Sequence, residues 1–455
     1  MRGNELLIES GPGEVRIARV AGGRLTELVH DRAVRWPARG AVLPARISQA
    51  APALDGHFVA LGRGVTGFLP AKELARGARA PAVGDRLTLQ VTREAVNGKG
   101  PRLTARIALA GPRVVYRPHG RGHGLSRALG GTPAEARLAR LAGGAPVPGG
   151  LIFRRTAGNA DEGHLLHEIE ALAALWSGIA REDEAPLAAE YEILRHLAEV
   201  ETVAADDTTL GNRLARIAET VAPDLAPRIE TAAATSVFDR HDTAGQIAAA
   251  LEPRVALPSG GNLVIEETEA LVAVDVNAGR GEADPVRTAA RTNAEAVEAL
   301  AREMRLRALG GPIVVDVIEA QGDAVRARLD QEMRAATRDD PARVDVLPPS
   351  RLGLMEMVRT RLGPSLKTLY TAPDARPAPS VEAAALGAAR LAAREAKGLK
   401  FPAAVLRVAP AVAHWLGQQA DLRADLDARA GRPVRIVADP GLSPATALVE
   451  RAAGA

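Results

Sequence analysis

The chain has 455 residues, of which 47% are hydrophobic and 25% charged, with 58 Lys+Arg against 55 Asp+Glu and a net charge of +3. These proportions fit an ordinary globular protein of several domains and exclude a disordered, collagenous or membrane-embedded chain. Cysteine is absent, which removes disulfides, thiolate metal sites and cysteine nucleophiles, and aromatics at 2% leave the cores to aliphatic side chains.

Residues 1–35 alternate apolar and polar in ELLIES, EVRIARV and RLTELVH, with turn residues at Gly11–Gly13 and Gly22–Gly23. They read as short antiparallel strands. Residues 36–110 continue as five short strands with one small helix at AKELARG, the pattern of a small OB-type barrel. From Gly111 to Gly150 the chain is rich in Gly and Arg; LIFRRTA then predicts a strand. The stretch from GHLLHEIEAL to LRHLAEV predicts helix, with apolar residues recurring at three and four. GNLVIEETEALVAVDVN predicts two strands, Pro285 to Leu309 a helix, and PIVVDVIEA a buried strand. Strand, helix, strand in that order predicts a parallel crossover. A helix in AVRARLDQEMRAATR and a strand in ARVDVLP extend the same layer. TAPDARPAPS (371–380) reads as a Pro-rich linker, and the remainder alternates helix and strand as a small α/β domain. No long apolar stretch suggests a signal peptide or a membrane span of about 18 residues, so the expected location is cytoplasmic.

Four groups of residues carry chemistry. The segment from Lys99 to Arg127 holds seven basic residues and no Asp or Glu. Such clustering suits a phosphate backbone, and equally a solvated basic face. Phe58 and Phe68 fall in the barrel, either as exposed platforms on which bases stack or as barrel core. Asp275 ends LVAV, Asn277 follows on the same face, and Asp316 ends PIVV on the next strand. Strand carboxyl ends carry ligand sites in open α/β sheets. Two carboxylates and an amide suit Mg2+, which can activate water for an in-line phosphoryl displacement. Solvated turn acids are the plainer reading. Arg155-Thr156 can hold a terminal phosphate, or Arg155 can form a surface salt bridge. His164 and His167 are expected to be partly exposed helix residues.

At TEALVAVDVNAGR, RLRALGGPIVVDVIEA and SRLGLMEMVRTRLGPSL the chain resembles the ribonuclease E/G family of bacterial endoribonucleases. FVALG, GFLP, NGKG, IFRRTAG and GGNLVIEETEAL extend the resemblance over nearly the whole chain, at the length of the short ribonuclease G type. It implies an α/β multidomain architecture. An RNase H-like region (1–35 and 196–250) would be interrupted by an S1-type OB domain (36–108) and a 5′-sensor region (109–195). A DNase I-like catalytic region (251–370), a linker (371–380) and a small C-terminal domain (381–455) would follow.

The resemblance further implies a Mg2+-dependent cut in single-stranded RNA, with Mn2+ as a substitute, in which the 3′-oxygen leaves and a 5′-phosphate product forms. It places the metal on Asp275 and Asp316, the phosphate contact on Asn277, and the RNA contacts of the barrel on Phe58, Phe68 and Lys99. A pocket for a 5′-monophosphate falls on Gly111, Val115, Arg155, Thr156 and Arg343, with Arg127 as the first arginine of the family's SRR motif. The second is Ala128 here, Glu319 stands for an Asp, and Ala60 replaces an Asp found in many relatives. The family's CPxC zinc link should lie at 371–380, but the chain has no cysteine, so no zinc is expected there. A homodimer would then form without that link. The alternative is a non-catalytic RNA-binding protein that keeps the fold.

Overall fold

The alternating N-terminal pattern forms strands Asn4–Gly11, Glu14–Ala21 and Arg24–Arg32, and the first of them pairs in parallel with Thr202–Ala205. The computed structural model describes residues 3–75, 77–96, 98–179, 188–231, 236–279, 285–318, 323–347, 350, 352, 354–372, 375–398 and 403–451. The chain divides into two compact units. One comprises Met1–Ser10, Val15–Gly23 and His30–Phe238; the other comprises Gly11–Glu14, Arg24–Val29 and Asp239–Ala455.

In the first unit, strands Val42–Ala51, Gly56–Gly62, Val65–Pro70, Arg102–Thr104 and Arg86–Arg93 close into a barrel in that order. Alternate residues turn inward, so Leu43, Ile47, Val59, Leu61, Leu69, Leu89, Val91 and Leu103 form its core. The small helix expected at AKELARG is one 3-10 turn, Ala71–Glu73. Beyond the barrel lies a sheet in the order His123–Leu125, Gly150–Phe153, Val114–Arg117, Leu109–Ala110. The helix Glu162–Ile179 covers it, and Leu165, Ile169 and Leu172 pack with Tyr116 and Phe153. The predicted helical stretch continues as Ala188–His196; residues 180–187 lie outside the described residues.

In the second unit, a sheet runs Arg254–Ala256, Asn262–Glu267, Val272–Asn277, Gly311–Asp316, Met355–Arg359, Val344–Val346. Val272–Asn277 and Gly311–Asp316 pair in parallel across the helix Pro285–Leu306, as the strand-helix-strand pattern predicts. Val272, Val274, Val276, Ile313 and Val315 face the helices Pro285–Leu306 and Asp323–Ala336, with Val297, Leu300, Met304 and Met333 in the same core. Residues 371–380, linker-like in composition, contribute two short strands, Thr371–Ala372 and Ala375–Pro379, which pair antiparallel. The C-terminal helices Val381–Gly398, Pro410–Gly417 and Ala420–Ala430 pack on a sheet ordered Val434–Ala438, Ala404–Val408, Ala447–Arg451. The turn Gly11–Glu14 docks there. The Gly13 N–H donates to Asp425 Oδ2 at 3.0 Å, and Glu14 pairs with Arg390.

Candidate active site and nucleic-acid interface

On the barrel, the inward turn of Val59 and Leu69 sends their neighbours Phe58 and Phe68 outward. Both are half-buried, neither belongs to the barrel core, and they oppose each other across an antiparallel pair. Their ring centroids lie 5.6 Å apart at 62°, an edge-to-face pair. Of the two positions open in the sequence, outer surface and barrel core, the packing gives the outer surface. Gly56 makes room for the Phe68 ring: a Cβ there would lie 2.6 Å from Phe68 Cζ. Register extends the row from Gln49 through Phe58 and Phe68 to Arg102 and Arg93. Arg93 was not singled out from sequence, and Arg102 entered only as one of the seven basic residues of 99–127; their place beside the phenylalanines follows from register. Lys99 is exposed, two residues before Pro101, whose carbonyl accepts the Phe68 N–H at 2.9 Å. Asn97 of NGKG lies outside the described residues.

The residues matched to the 5′-phosphate pocket divide between the two units. Gly111, Val115, Arg127, Arg155 and Thr156 belong to the first, Arg343 to the second. Arg155 and Arg127 are exposed on two short 3-10 turns and make no ion pair among the described residues. Arg137 fixes the turn of Arg155 by donating to the carbonyls of Ala157, Gly158 and Ala160. Thr156 donates its hydroxyl hydrogen to Pro112 O at 2.7 Å, and Arg154 donates to Gly111 O and Pro112 O at 3.0 Å. From below, Glu168 Oε1 accepts the N–H groups of Arg113 and Val114 at 2.8 Å each. Three side chains from outside the 111–114 turn therefore set its shape. Val115 is half-buried opposite Ile152, and Arg343 is exposed with Asp345 as its partner at 2.9 Å.

Glu168 is fully buried. Among the described residues its Oε2 has no hydrogen-bond partner, only Arg113 Nη1 at 3.6 Å. Burial pushes its carboxyl up to about 7, against the pull of the two N–H donors and Arg113. Arg113 is shared with Asp224, which also faces His164 at 3.6 Å. His164 and His167 are exposed helix residues.

Asp275 and Asp316 are Cα partners in the parallel ladder of the second unit. Both side chains point away from the helices and are exposed. Asn277 Nδ2 donates to Asp275 Oδ2 at 2.7 Å, while Asp316 makes no hydrogen bond or ion pair among the described residues. Two adjacent carboxylates with no cationic partner among the described residues form a hard-oxygen donor set that fits Mg2+ or Mn2+. Neighbouring strands keep the pair about 4.8 Å apart at the backbone. Glu319, a candidate third acid, lies outside the described residues, as does Pro373 of the linker.

Sequence reasoning missed Asn293. It is 2% exposed on the core side of the helix Pro285–Leu306. Its Nδ2 donates to Ile318 O at 2.8 Å and its Oδ1 accepts the Ile318 N–H at 3.0 Å, two residues past Asp316. The available signal was an amide four residues before Val297, inside an otherwise apolar stripe.

Comparison with known proteins bears on the same regions. A family model described as "Ribonuclease E/G family" matches residues 108–362, and one described as "S1 RNA binding domain" matches residues 37–106. The chain is 29% identical over 395 residues to Ribonuclease G of Escherichia coli (strain K12), covering 80% of this chain and 81% of that one. It is 27% identical over 474 residues to Ribonuclease G of Salmonella typhimurium (strain SL1344), covering 96% and 97%. Ribonuclease E of Escherichia coli (strain K12) matches at 32% over 388 residues, 78% of this chain but 36% of that one.

Proposed function

The chain belongs to the ribonuclease E/G family and is an endoribonuclease, and we propose that it cuts single-stranded RNA using a divalent cation, Mg2+ or Mn2+, held by Asp275 and Asp316. The observation that carries this reading is the pair of in-register, exposed carboxylates, which have no cationic partner among the described residues. A bound cation supplies Lewis-acid stabilisation of the phosphoryl oxygens and an acidified water for in-line attack. Asn277 holds the Asp275 carboxylate by one amide N–H and offers the other to a phosphate oxygen. The 3′-oxygen leaves, and the product carries a 5′-phosphate.

The S1 domain binds RNA. Within it we assign stacking to Phe58 and Phe68 and the phosphate contact to Lys99, supported by the row of aromatic and basic residues across the outer barrel. Preference for a 5′-monophosphate is assigned to Arg155 and Arg127, which make no ion pair among the described residues; the assignment of Arg343 rests on the resemblance alone. Gly111, Val115 and Thr156 shape the pocket wall. In this conformation Thr156 serves the Pro112 carbonyl, so a phosphate contact requires its hydroxyl to turn. The arrangement proposed is an RNase H-like region carrying the S1 barrel and sensor, a DNase I-like catalytic region and a small C-terminal domain. The linker holds no zinc in this reading, a dimer rests on surface burial alone, and the protein works in the cytoplasm. Among the described residues no helix is long and apolar enough to cross a membrane.

The deciding experiment is cleavage of one short single-stranded RNA, with 5′-monophosphate or 5′-hydroxyl, with and without Mg2+. Metal-dependent cutting, 5′-phosphate product ends and a faster monophosphate substrate are expected. Cutting in chelator, or 5′-hydroxyl product ends, refutes the mechanism.

A further inference from the structure

We infer that Asn293 is a positioning residue for the Asp316 carboxylate, acting through the segment that leaves the acid-bearing strand. The inference rests on the assignment of a divalent cation to Asp275 and Asp316. The strand Gly311–Asp316 ends at the acid, and among the described residues no ladder pairing holds residues 317–318. Asn293 substitutes for the ladder. Its side chain binds both the N–H and the C=O of Ile318, which fixes the rotation of that residue as well as its position. A buried amide on an apolar helix face is costly unless its groups are paired, and here both amide atoms are.

The same helix also holds the other acid's strand. Gly261 approaches Asn277 so closely that a Cβ would lie 2.5 Å from Asn277 O and 3.0 Å from Thr292 Cγ2. One turn on, Glu295 Oε2 accepts the Ser259 N–H at 2.8 Å. Residues 292, 293 and 295 thus reach the chain beside Asn277 and the chain beyond Asp316 from one rigid element. The spacing of the two carboxylates is set by this helix as well as by the ladder between them. Outer partners that orient metal-binding groups commonly change metal affinity by about 10–100-fold when removed.

The test compares the parent with Asn293→Ala, Met304→Ala and Asp316→Asn. Met304 is buried on the same helix and serves as the packing control. Mn2+ affinity is read from the electron paramagnetic resonance of the free ion, at a temperature where circular dichroism shows every variant folded. Cleavage is followed against Mg2+ concentration. Asn293→Ala should bind Mn2+ about tenfold or more weakly, regain cleavage at raised Mg2+ and keep the parent KM for RNA. Met304→Ala should melt earlier with unchanged Mn2+ affinity. Should Asn293→Ala not fold, Asn293→Ser, which retains a polar group too short to span Ile318, is expected to shift the same way. Parent-like Mn2+ affinity in the Asn293 variants, or an equal loss in Met304→Ala, overturns the inference alone. Parent-like affinity in Asp316→Asn overturns the metal assignment, and the inference falls with it.

Discussion

Asp316 stands directly beside Asp275 in a parallel strand pair, so two like charges share one exposed position of the sheet. Opposed like charges destabilise a strand pair. Asp275→Asn or Asp316→Asn should therefore raise the stability of the metal-free protein, by a few tenths to about 1 kcal/mol. The same changes should lower cleavage by orders of magnitude, because each deletes an anionic ligand. Added Mg2+ should raise the melting temperature of the parent but not of either variant. A variant that cuts near the parent rate contradicts the assignment.

Removing a stacking platform costs about 1–3 kcal/mol of RNA binding. Phe58→Ala and Phe68→Ala should each weaken binding by that amount with little loss of melting temperature, since neither ring belongs to the barrel core. Gly56→Ala should lower the stability of the barrel as well, because the new methyl group would meet the Leu69 carbonyl oxygen at 2.5 Å besides the Phe68 ring. Lys99→Ala should reduce the slope of log affinity against log salt by about 0.7, the value for one single-strand phosphate contact. A collapse of barrel stability with affinity kept in the folded fraction would instead place the rings in the core.

Arg155, exposed and without an ion pair among the described residues, predicts that Arg155→Ala abolishes the rate advantage of a 5′-monophosphate while leaving 5′-hydroxyl RNA unaffected. Ala128→Arg, which restores the adjacent pair with Arg127, should enlarge that advantage. Equal rates on both substrates in the parent would exclude a working sensor.

The Glu168 carboxyl ionises near 4.5 in an unfolded chain and at about 7 in the folded protein. Between those values the folded state keeps a proton that the unfolded state has released. The contribution of this group is therefore complete below 4.5 and declines as pH rises to about 7. Glu199 acts oppositely. Burial raises its carboxyl, but the His196 hydrogen bond and the charge of Arg154 outweigh that and hold it at about 2, so its contribution is lost as pH falls from 4.5. Denaturant unfolding of Glu168→Gln should show a flatter stability profile from pH 4.5 to 7 than the parent. An unchanged slope would mean that Glu168 is not the group responsible.

With no cysteine in the chain, purified protein should carry no stoichiometric zinc, and a zinc chelator should leave its mass in solution unchanged. Elemental analysis finding about one zinc per two chains, with dissociation on its removal, would point to ligands of another kind.

The acid-bearing strands were legible because LVAVD and PIVVD are apolar runs separated by one long amphipathic helix, which leaves a parallel crossover as the simple solution. Phe58 and Phe68 were half legible. Period-two alternation puts them opposite Val59 and Leu69, but only packing decides which set faces in. Glu168 and Asn293 were not legible as contacts. Each lies mid-helix and binds backbone far away in sequence, 54 and 25 positions for Val114 and Ile318. The insertion of Met355–Arg359 between Gly311–Asp316 and Val344–Val346 was equally hidden, since strand order depends on pairing partners rather than on local pattern. The prolines of 371–380 suggested a linker, yet Pro377 and Pro379 lie in a two-stranded pairing, where every strand is an edge.

The bond between Gly13 and Asp425 joins residues 412 positions apart. At roughly 5–20 residues per second of synthesis, the N-terminal turn emerges on the order of 20–80 s before its partner exists. Throughout that interval Gly11–Glu14 lacks the helices that carry Arg390 and Asp425, and the unit containing the acid pair lacks one of its segments. The helix Ala420–Ala430 is thus a late closing element. A ribosome stalled upstream of it leaves a nascent chain with an undocked hairpin tip, open to chaperones and proteases.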